Sequence, residues 1–582
     1  MRMSAIKIVL LTVLLGLALS CGGGGGQSSS IVAAPTVSLA ASPNPDAVGQ
    51  ASTLTWSSQN AMSCSASGGW SGSQPTAGTT TTTQSAPGTY TYSLTCTGTG
   101  GSKSESLSLV FTSSTITADA SNLGSAMNRN QLGANLNLGY TDDSNSSYLP
   151  LWTSAGIGLF RWPGGLLSDY YHWQSHSYGP CSPWPNPPSA TAFDTWMQAT
   201  VQPLKADVAV TVNYGTNAIC TGPADPNEAA SWVDYANNVQ HYGVKYWTVG
   251  NEEYLTGEPD LHASPHDPST YASQVASQFY PLMKAKDPTI MVGIDMAFGN
   301  LTYSTSSDTW DPTVLANAKY DFVEMHYYPE HNNQDDDNAL LTTWADQIAT
   351  NFSTAQSLLT ASGHSNTPIF LGEFDRDSGG ASGPGHETVS VVDALFTAIV
   401  VGEAVKAGVS MTAVWLGVDD CWPESPPVSA AYGFQFYGSW AMFAASGSGF
   451  PQSCADQSAP EGTPFPKARA FQILSQFVVP GERTLSASSA DPLVRSYGAT
   501  SGSGYVFLLI NIDKTSPHTL PVTIQNTPRQ SFNASTLSYG KQEYDQSANG
   551  VWAGPSSGTI GSVGTTFDVS LPAWSITLVK LQ

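Results

Sequence analysis

Tyr246-Trp-Thr-Val-Gly-Asn251-Glu252 and Pro368-Ile-Phe-Leu-Gly-Glu373 decide the fold. Each is a short apolar run that ends on a glutamate. The runs are strand-length, rich in β-branched and aromatic residues, and continuous rather than alternating, which is the pattern of a strand buried on both faces. A carboxylate at the end of such a strand is costly to bury without a purpose.

Six more runs of the same kind accompany these two. The eight predicted strands are Leu132–Leu136, Ile157–Arg161, Val208–Val212, Tyr246–Val249, Ile290–Ile294, Phe322–Met325, Ile369–Leu371 and Met411–Trp415. Helix-length segments separate them, among them Asn227–Tyr242, Ser269–Ala285, Leu340–Ser362 and Thr388–Ala407. Strands alternating with helices predict βα units and a parallel sheet, and eight units predict a closed (β/α)8 TIM barrel. No phosphate-binding glycine fingerprint follows any strand, which disfavours a doubly wound nucleotide-binding fold. The class is therefore α/β, with barrel limits at 114–480.

Flanking regions read as β-structure. Residues 34–113 contain alternating runs such as Thr89–Thr95 and Glu105–Phe111, punctuated by Pro, Gly and Asn. They predict a small β-sandwich that resembles bacterial Ig-like modules, with Cys64 and Cys96 near the place of an inter-sheet bridge. Residue 94 is Leu, so the tyrosine corner of antibody-type domains is absent. Residues 481–582 alternate again and predict a C-terminal β-sandwich. The strand-like Ser114–Ala118, ahead of the barrel, is a candidate to pair into it.

The N-terminus reads as a targeting segment. Arg2 and Lys7 precede an apolar stretch, Ile8–Leu19, that is too short for a stable bilayer span of about 20 residues. Leu17-Ala18-Leu19-Ser20-Cys21 resembles a bacterial lipobox, with Ala18 where Leu is usual. The expectation is a signal peptide at 1–20, lipidation at Cys21, and a Gly/Ser tether at 21–33. The product would be a cell-envelope lipoprotein, or a secreted protein if the lipobox is not used. The other six cysteines fall in neighbouring pairs, predicting disulfides Cys64–Cys96, Cys181–Cys220 and Cys421–Cys454 in an oxidising compartment. Charged residues make up only 11 % of the chain, and the net charge is −24. That excludes binding to nucleic acid or an anionic membrane by charge. Contact with a membrane is expected only through the lipid at Cys21.

In a (β/α)8 barrel the functional residues sit at the carboxyl ends of the strands. Here those positions hold Asn137, Arg161-Trp-Pro-Gly-Gly165, Asn213, Asn251-Glu252-Glu253, His326-Tyr-Tyr328, Glu373 and Trp415. A structural rim does not require this density of Asn, Arg, His and Glu. Neighbours on a strand point to opposite sides, so only one of Glu252 and Glu253 faces the axis. His326 reads equally as a satisfied structural histidine. Aromatics such as Trp162, Tyr170, Tyr171, Trp173, Trp184 and Trp422 are most simply core. Trp415 is the candidate for stacking on a sugar. Asp335-Asp-Asp337 lacks calcium-loop spacing and reads as a solvated loop. No zinc-ligand pattern is present.

Together these motifs resemble clan A of the glycoside hydrolases. The Asn251-Glu252 dipeptide, Arg161-x-Pro163 after the second strand and His326-x-Tyr328 after the sixth carry the resemblance. Phe160-Arg-Trp-Pro-Gly-Gly165 and Val249-Gly-Asn-Glu252 look most like the family 51 α-L-arabinofuranosidases, although Leu-Gly-Glu373-Phe-Asp-Arg376 departs from that family's Glu-Trp-Asn. The resemblance implies a retaining enzyme with no metal or organic cofactor, acting on an oligo- or polysaccharide. Glu252 would be the acid/base and Glu373 the nucleophile. Arg161 and Tyr328 would hold Glu373 charged, Asn251 would bond the sugar 2-hydroxyl, and His326 would orient the network. A raised pKa is expected for Glu252 and an ionised state for Glu373. Other activities served by this clan are β-xylosidase, β-glucuronidase and endo-glycanase. A non-catalytic carbohydrate-binding surface protein is the alternative of another class, disfavoured by the presence of both carboxylates.

Overall fold

The computed structural model describes residues 33–582 apart from 113, 139–140, 298–306, 331–335, 380–382, 424–436, 446–453 and 458. The signal segment, Cys21 and nearly all of the tether lie outside the described residues. Two compact units divide between Ser113 and Ser114.

The first unit is a β-sandwich. Its three-stranded sheet (Thr36–Ser42, Ser52–Gln59, Ala77–Thr82) faces a five-stranded one that includes Ser63–Gly68, Gly88–Gly98 and Gly101–Thr112. Leu54, Tyr92, Leu109 and Phe111 fill one part of the interior, Trp56 and Leu94 another. Cys64 and Cys96 are bonded, but not between the sheets. They stand directly opposite each other on neighbouring antiparallel strands, so the bridge staples one sheet.

The second unit contains the barrel. Its strands, numbered here in barrel order, are β1 (Gly133–Asn135), β2 (Leu159–Trp162), β3 (Asp207–Val212), β4 (Tyr246–Val249), β5 (Met291–Asp295), β6 (Phe322–Tyr327), β7 (Ile369–Phe374) and β8 (Met411–Val414). All pair in parallel, and β1 pairs with β8 to close the ring. The helices Pro226–Val233, Ala345–Ala361 and Val391–Ala407 lie where the sequence places them. The last of these is buried on nearly every side and ends at Gly408 in the left-handed region (φ +75°), a conformation that glycine adopts without strain.

That helix packs against a nine-stranded sheet at the C-terminal end. The sheet is continuous and folds over its own core of Ile116, Phe507, Leu509, Val522, Val569 and Val579. Ile116–Ala126, which precedes the barrel in sequence, is one of its strands and sits between Arg483–Ser489 and His518–Gln525. Strand Gly504–Asn511 is buried throughout. Tyr505, Phe507 and Leu509 face the core of the sheet, while Val506, Leu508 and Ile510 join the core of the barrel. Two apolar faces explain why this run does not alternate.

Two further disulfides tie loops at the carboxyl end of the barrel. Cys181–Cys220 joins the loops after β2 and β3, and Cys421–Cys454 closes the segment after β8.

Candidate active site

Five barrel strands deliver one connected polar network. Arg161, at the end of β2, is fully buried and is its hub. Its Nη1 donates to Glu373 Oε1 (2.7 Å) and Asn135 Oδ1 (3.1 Å), and its Nη2 donates to Asn251 Oδ1 (2.8 Å). Its Nε lies 2.5 Å from Glu324 Oε1. Burial alone would favour the neutral guanidine, but the charges of Glu324 and Glu373 outweigh it and keep Arg161 protonated.

Strand β6 and the residue just past its end contribute three residues at alternate positions: Glu324, His326 and Tyr328. Tyr328 donates its hydroxyl to Glu373 Oε2 (2.7 Å). His326 places Nε2 3.2 Å from Glu324 and Nδ1 2.9 Å from Glu252 Oε1. A register shift between Met325 and His326 sets His326 beside Glu373 on β7, a re-aiming typical of bulges near sites. Glycine is required at 372 because a β-carbon there would lie 2.1 Å from Glu324 Oε1. A β-carbon on Gly165 would lie 2.8 Å from the Trp415 ring, so the two glycines after Pro163 let that ring close the wall of the site.

The two glutamates meet at one nitrogen. His326 Nδ1 is 2.9 Å from Glu252 Oε1 and 3.7 Å from Glu373 Oε2. The oxygens can be no further apart than those two distances laid end to end. That accommodates the roughly 5–5.5 Å of retaining hydrolysis. The Glu252 side chain is 14 % exposed and that of Glu373 6 %, so Glu252 is the more accessible.

Electrostatics push the pair apart. Burial would lower His326, but the charges of Glu373 and Glu252 and its hydrogen bonds raise it to about 10, so it is an imidazolium at neutral pH. Burial raises Glu252, yet the charge and hydrogen bond of His326, with Tyr254 (3.0 Å) and Arg161, hold it below the ordinary range. Burial also raises Glu373; His326, Arg161 and Tyr328 oppose this, the charge of Glu252 adds to it, and the net shift is upward. This is the reverse of the expected order. Glu252 gains both the charge of His326 and a direct hydrogen bond from it, whereas Glu373 gains the charge without that bond and is raised by burial and by the charge of Glu252.

Other expectations divide. Asn251 sits in the network, its main-chain N–H held by Asp169 Oδ2 (2.9 Å). Trp415 is half-buried against Gly164 and Gly165. On β1 the residue bonded to Arg161 is Asn135; Asn137 lies two positions further on, past the strand end and half-buried. Asn213 donates to the carbonyl of Tyr171 (3.2 Å) and accepts from the N–H of Thr216 (3.0 Å), so its amide shapes a loop instead of addressing a ligand. Strand-end position does not single out Glu324, which is mid-strand, but its i, i+2 spacing to His326 does. Glu258 is a further acid near the pair. Burial and the charge of Glu252 hold it well above the usual carboxylate range.

Comparison with known proteins gives structures only. No protein-family model matches the chain, and no curated protein sequence does. An α-L-arabinofuranosidase from Thermotoga maritima, solved with arabinose, superposes with a TM-score of 0.61 at 16 % identity, covering 80 % of this chain and 99 % of that one. The GH51 α-L-arabinofuranosidase from Thermotoga petrophila RKU-1 gives 0.60 at 16 %, covering 81 % and 100 %. A family 44 xyloglucanase from Paenibacillus polymyxa gives 0.56 at 11 %, covering 81 % and 99 %. The chain shares their fold. The shared part is a barrel with an attached β-rich region, and at these identities the likeness speaks for architecture alone.

Proposed function

We propose that the protein is a retaining glycoside hydrolase of clan A. The observation that carries this reading is the meeting of Glu252 and Glu373 at His326 Nδ1, with Arg161 and Tyr328 both bonded to Glu373. A sugar between the two carboxyls places its anomeric carbon against Glu373. The carboxylate of Glu373 forms a bond to that carbon, the glycosidic bond breaks, and Glu252 gives its proton to the departing oxygen. Water then attacks the glycosyl-enzyme, Glu252 takes its proton, and Glu373 leaves as carboxylate. The chemistry needs a proton on Glu252 and charge on Glu373, so substrate must reverse the direction in which the substrate-free surroundings shift the two groups. Arg161 and Tyr328 stabilise the charge on Glu373, and His326 must release Glu252 for the acid step. Asn251, held by Arg161, is placed to donate to the sugar 2-hydroxyl.

The substrate is proposed to be a terminal glycoside of plant or microbial polysaccharide, with α-L-arabinofuranoside first. The arabinofuranosidase motifs around Arg161 and Glu252 support this, as does the T. maritima structure solved with arabinose. An endo-glycanase is the second reading, favoured by similarity to the family 44 xyloglucanase. Export is proposed through the segment at 1–20, with a lipid on Cys21, and the N-terminal sandwich is proposed as an Ig-like spacer. A panel of nitrophenyl glycosides and intact xyloglucan, with wild type, Glu252→Ala and Glu373→Ala, tests the activity. Loss of turnover in both variants, with azide rescue giving products of opposite anomeric configuration in the two, is the expected result. Undiminished hydrolysis in either variant would remove that residue from the mechanism. Labelling by radioactive palmitate that Cys21→Ser abolishes is the expected sign of the anchor.

A further inference from the structure

Glu253 follows the acid/base residue but is no part of its network. It is fully buried, and no N–H or hydroxyl donor reaches either carboxyl oxygen; the side-chain partner it has is another acid, the carboxyl of Asp169. Keeping a buried carboxyl ionised beside other acids costs several kcal/mol, so a proton or a cation must compensate. The loop after β4 shows what it faces. One oxygen of Glu253, one of Asp260 and one imidazole nitrogen of His266 all lie within 4.8 Å of one another. Asp260 and His266 are half-buried, so the group is reachable from outside.

The surroundings hold these groups in place. Asp260 accepts from the main-chain N–H of His262 and of His266 (both 2.8 Å) and pairs with the ring of His262 (2.7 Å). The His266 ring is placed by a 3.1 Å contact from Nδ1 to the carbonyl of Glu253. Such secondary bonds orient ligands at metal centres. Around them the negative charge is unbalanced. Burial raises Glu253, the charges of Asp169, Asp260, Asp295 and Glu258 add to it, and no Lys or Arg pairs with it among the described residues.

We propose that Glu253, Asp260 and His266 bind one divalent cation. The donor set, one imidazole nitrogen and two carboxylates, suits Zn²⁺ and neighbouring transition ions better than the all-oxygen preference of Ca²⁺. The role is positional. Glu252 holds φ +50°, an unfavourable conformation for a residue with a β-carbon. A cation joining Glu253 to residues 260 and 266 pins both ends of the loop and seats the preceding residue. The site lies outside the sequence patterns because its ligands are thirteen residues apart with no repeated motif.

The test uses untagged full-length protein stripped with chelator and titrated calorimetrically with Zn²⁺, Mn²⁺ and Ca²⁺. One Zn²⁺ per chain is expected, weakened at least tenfold in both Glu253→Gln and His266→Ala, with circular dichroism unchanged. The thermal midpoint of wild type should rise with Zn²⁺ and that of the variants should not. Absence of stoichiometric Zn²⁺ or Mn²⁺ binding to folded wild type overturns the proposal. So does equal binding by both variants, or binding of Ca²⁺ alone that His266→Ala leaves unaffected. All readouts are independent of hydrolysis, so they stand apart from the proposed activity.

Discussion

The carboxyl end of the barrel and the strand Gly504–Asn511 are equally buried and chemically opposite. Around Arg161 the interior is built of charges: one guanidinium, one imidazolium and three carboxylates. Along Gly504–Asn511 the buried side chains are almost all apolar, shared between two cores. The apolar strand is stabilised by area removed from water, about 1.5–3 kcal/mol per large side chain. The charged end gains little net stability, because desolvation offsets attraction. Its residues are mutually dependent instead. Stability resides in one region, and geometry with charge placement in the other.

Arg161→Met should sharpen that contrast most. It leaves Glu324 and Glu373 buried without their counter-charge, so a loss of about 3–5 kcal/mol is expected in denaturant unfolding, with turnover abolished. Leu508→Ala removes apolar volume from the opposite region. Its expected cost is about 2–5 kcal/mol, with kcat and KM unchanged below the new melting point. A fall in kcat would mean that the sheet also shapes the site. Gly372→Ala forces Glu324 away from Arg161 and His326. Overpacking of this kind costs about 1–3 kcal/mol, and activity should fall far more than stability.

The smallest expected effect is in pH dependence. His326 titrates near 6.5 when unfolded and about 10 when folded. Its charge therefore stabilises the fold fully below about pH 6.5, and that contribution is lost as pH rises towards 10. The gap in stability between wild type and His326→Gln should be widest at pH 6 and close towards pH 10. Removing a positive charge that lowers both glutamates should also move both limbs of the pH–rate profile to higher pH. A constant gap would show that His326 is not charged in the fold.

The barrel was legible because strands buried on both faces leave unbroken apolar runs, and every such run marks a barrel strand to within a few residues. The ends of β2, β4, β6 and β7 were legible for the same reason: a charged group closing an apolar run stands out. Glu324 was less so, because strand-end position ignores alternation within a strand. Asn135 and Asn137 were confused because β1 has only three residues, too few to show where it stops. The order of the glutamate pKa values lay beyond any sequence pattern, since it depends on which carboxyl the His326 ring touches. The staple between Cys64 and Cys96 depends on strand pairing, which cysteine spacing does not encode.

One feature of the connectivity constrains how the chain matures. Ile116–Ala126 leaves the ribosome ahead of the whole barrel, yet its neighbours Arg483–Ser489 and His518–Gln525 are made only after the barrel. Until then it is a strand with two open edges, the kind of surface that recruits other chains. A product truncated after the barrel would keep that orphan and lose the cover over Val391–Ala407. Secretion unfolded, with assembly only once the last segment has emerged, would spare the nascent polypeptide that exposure.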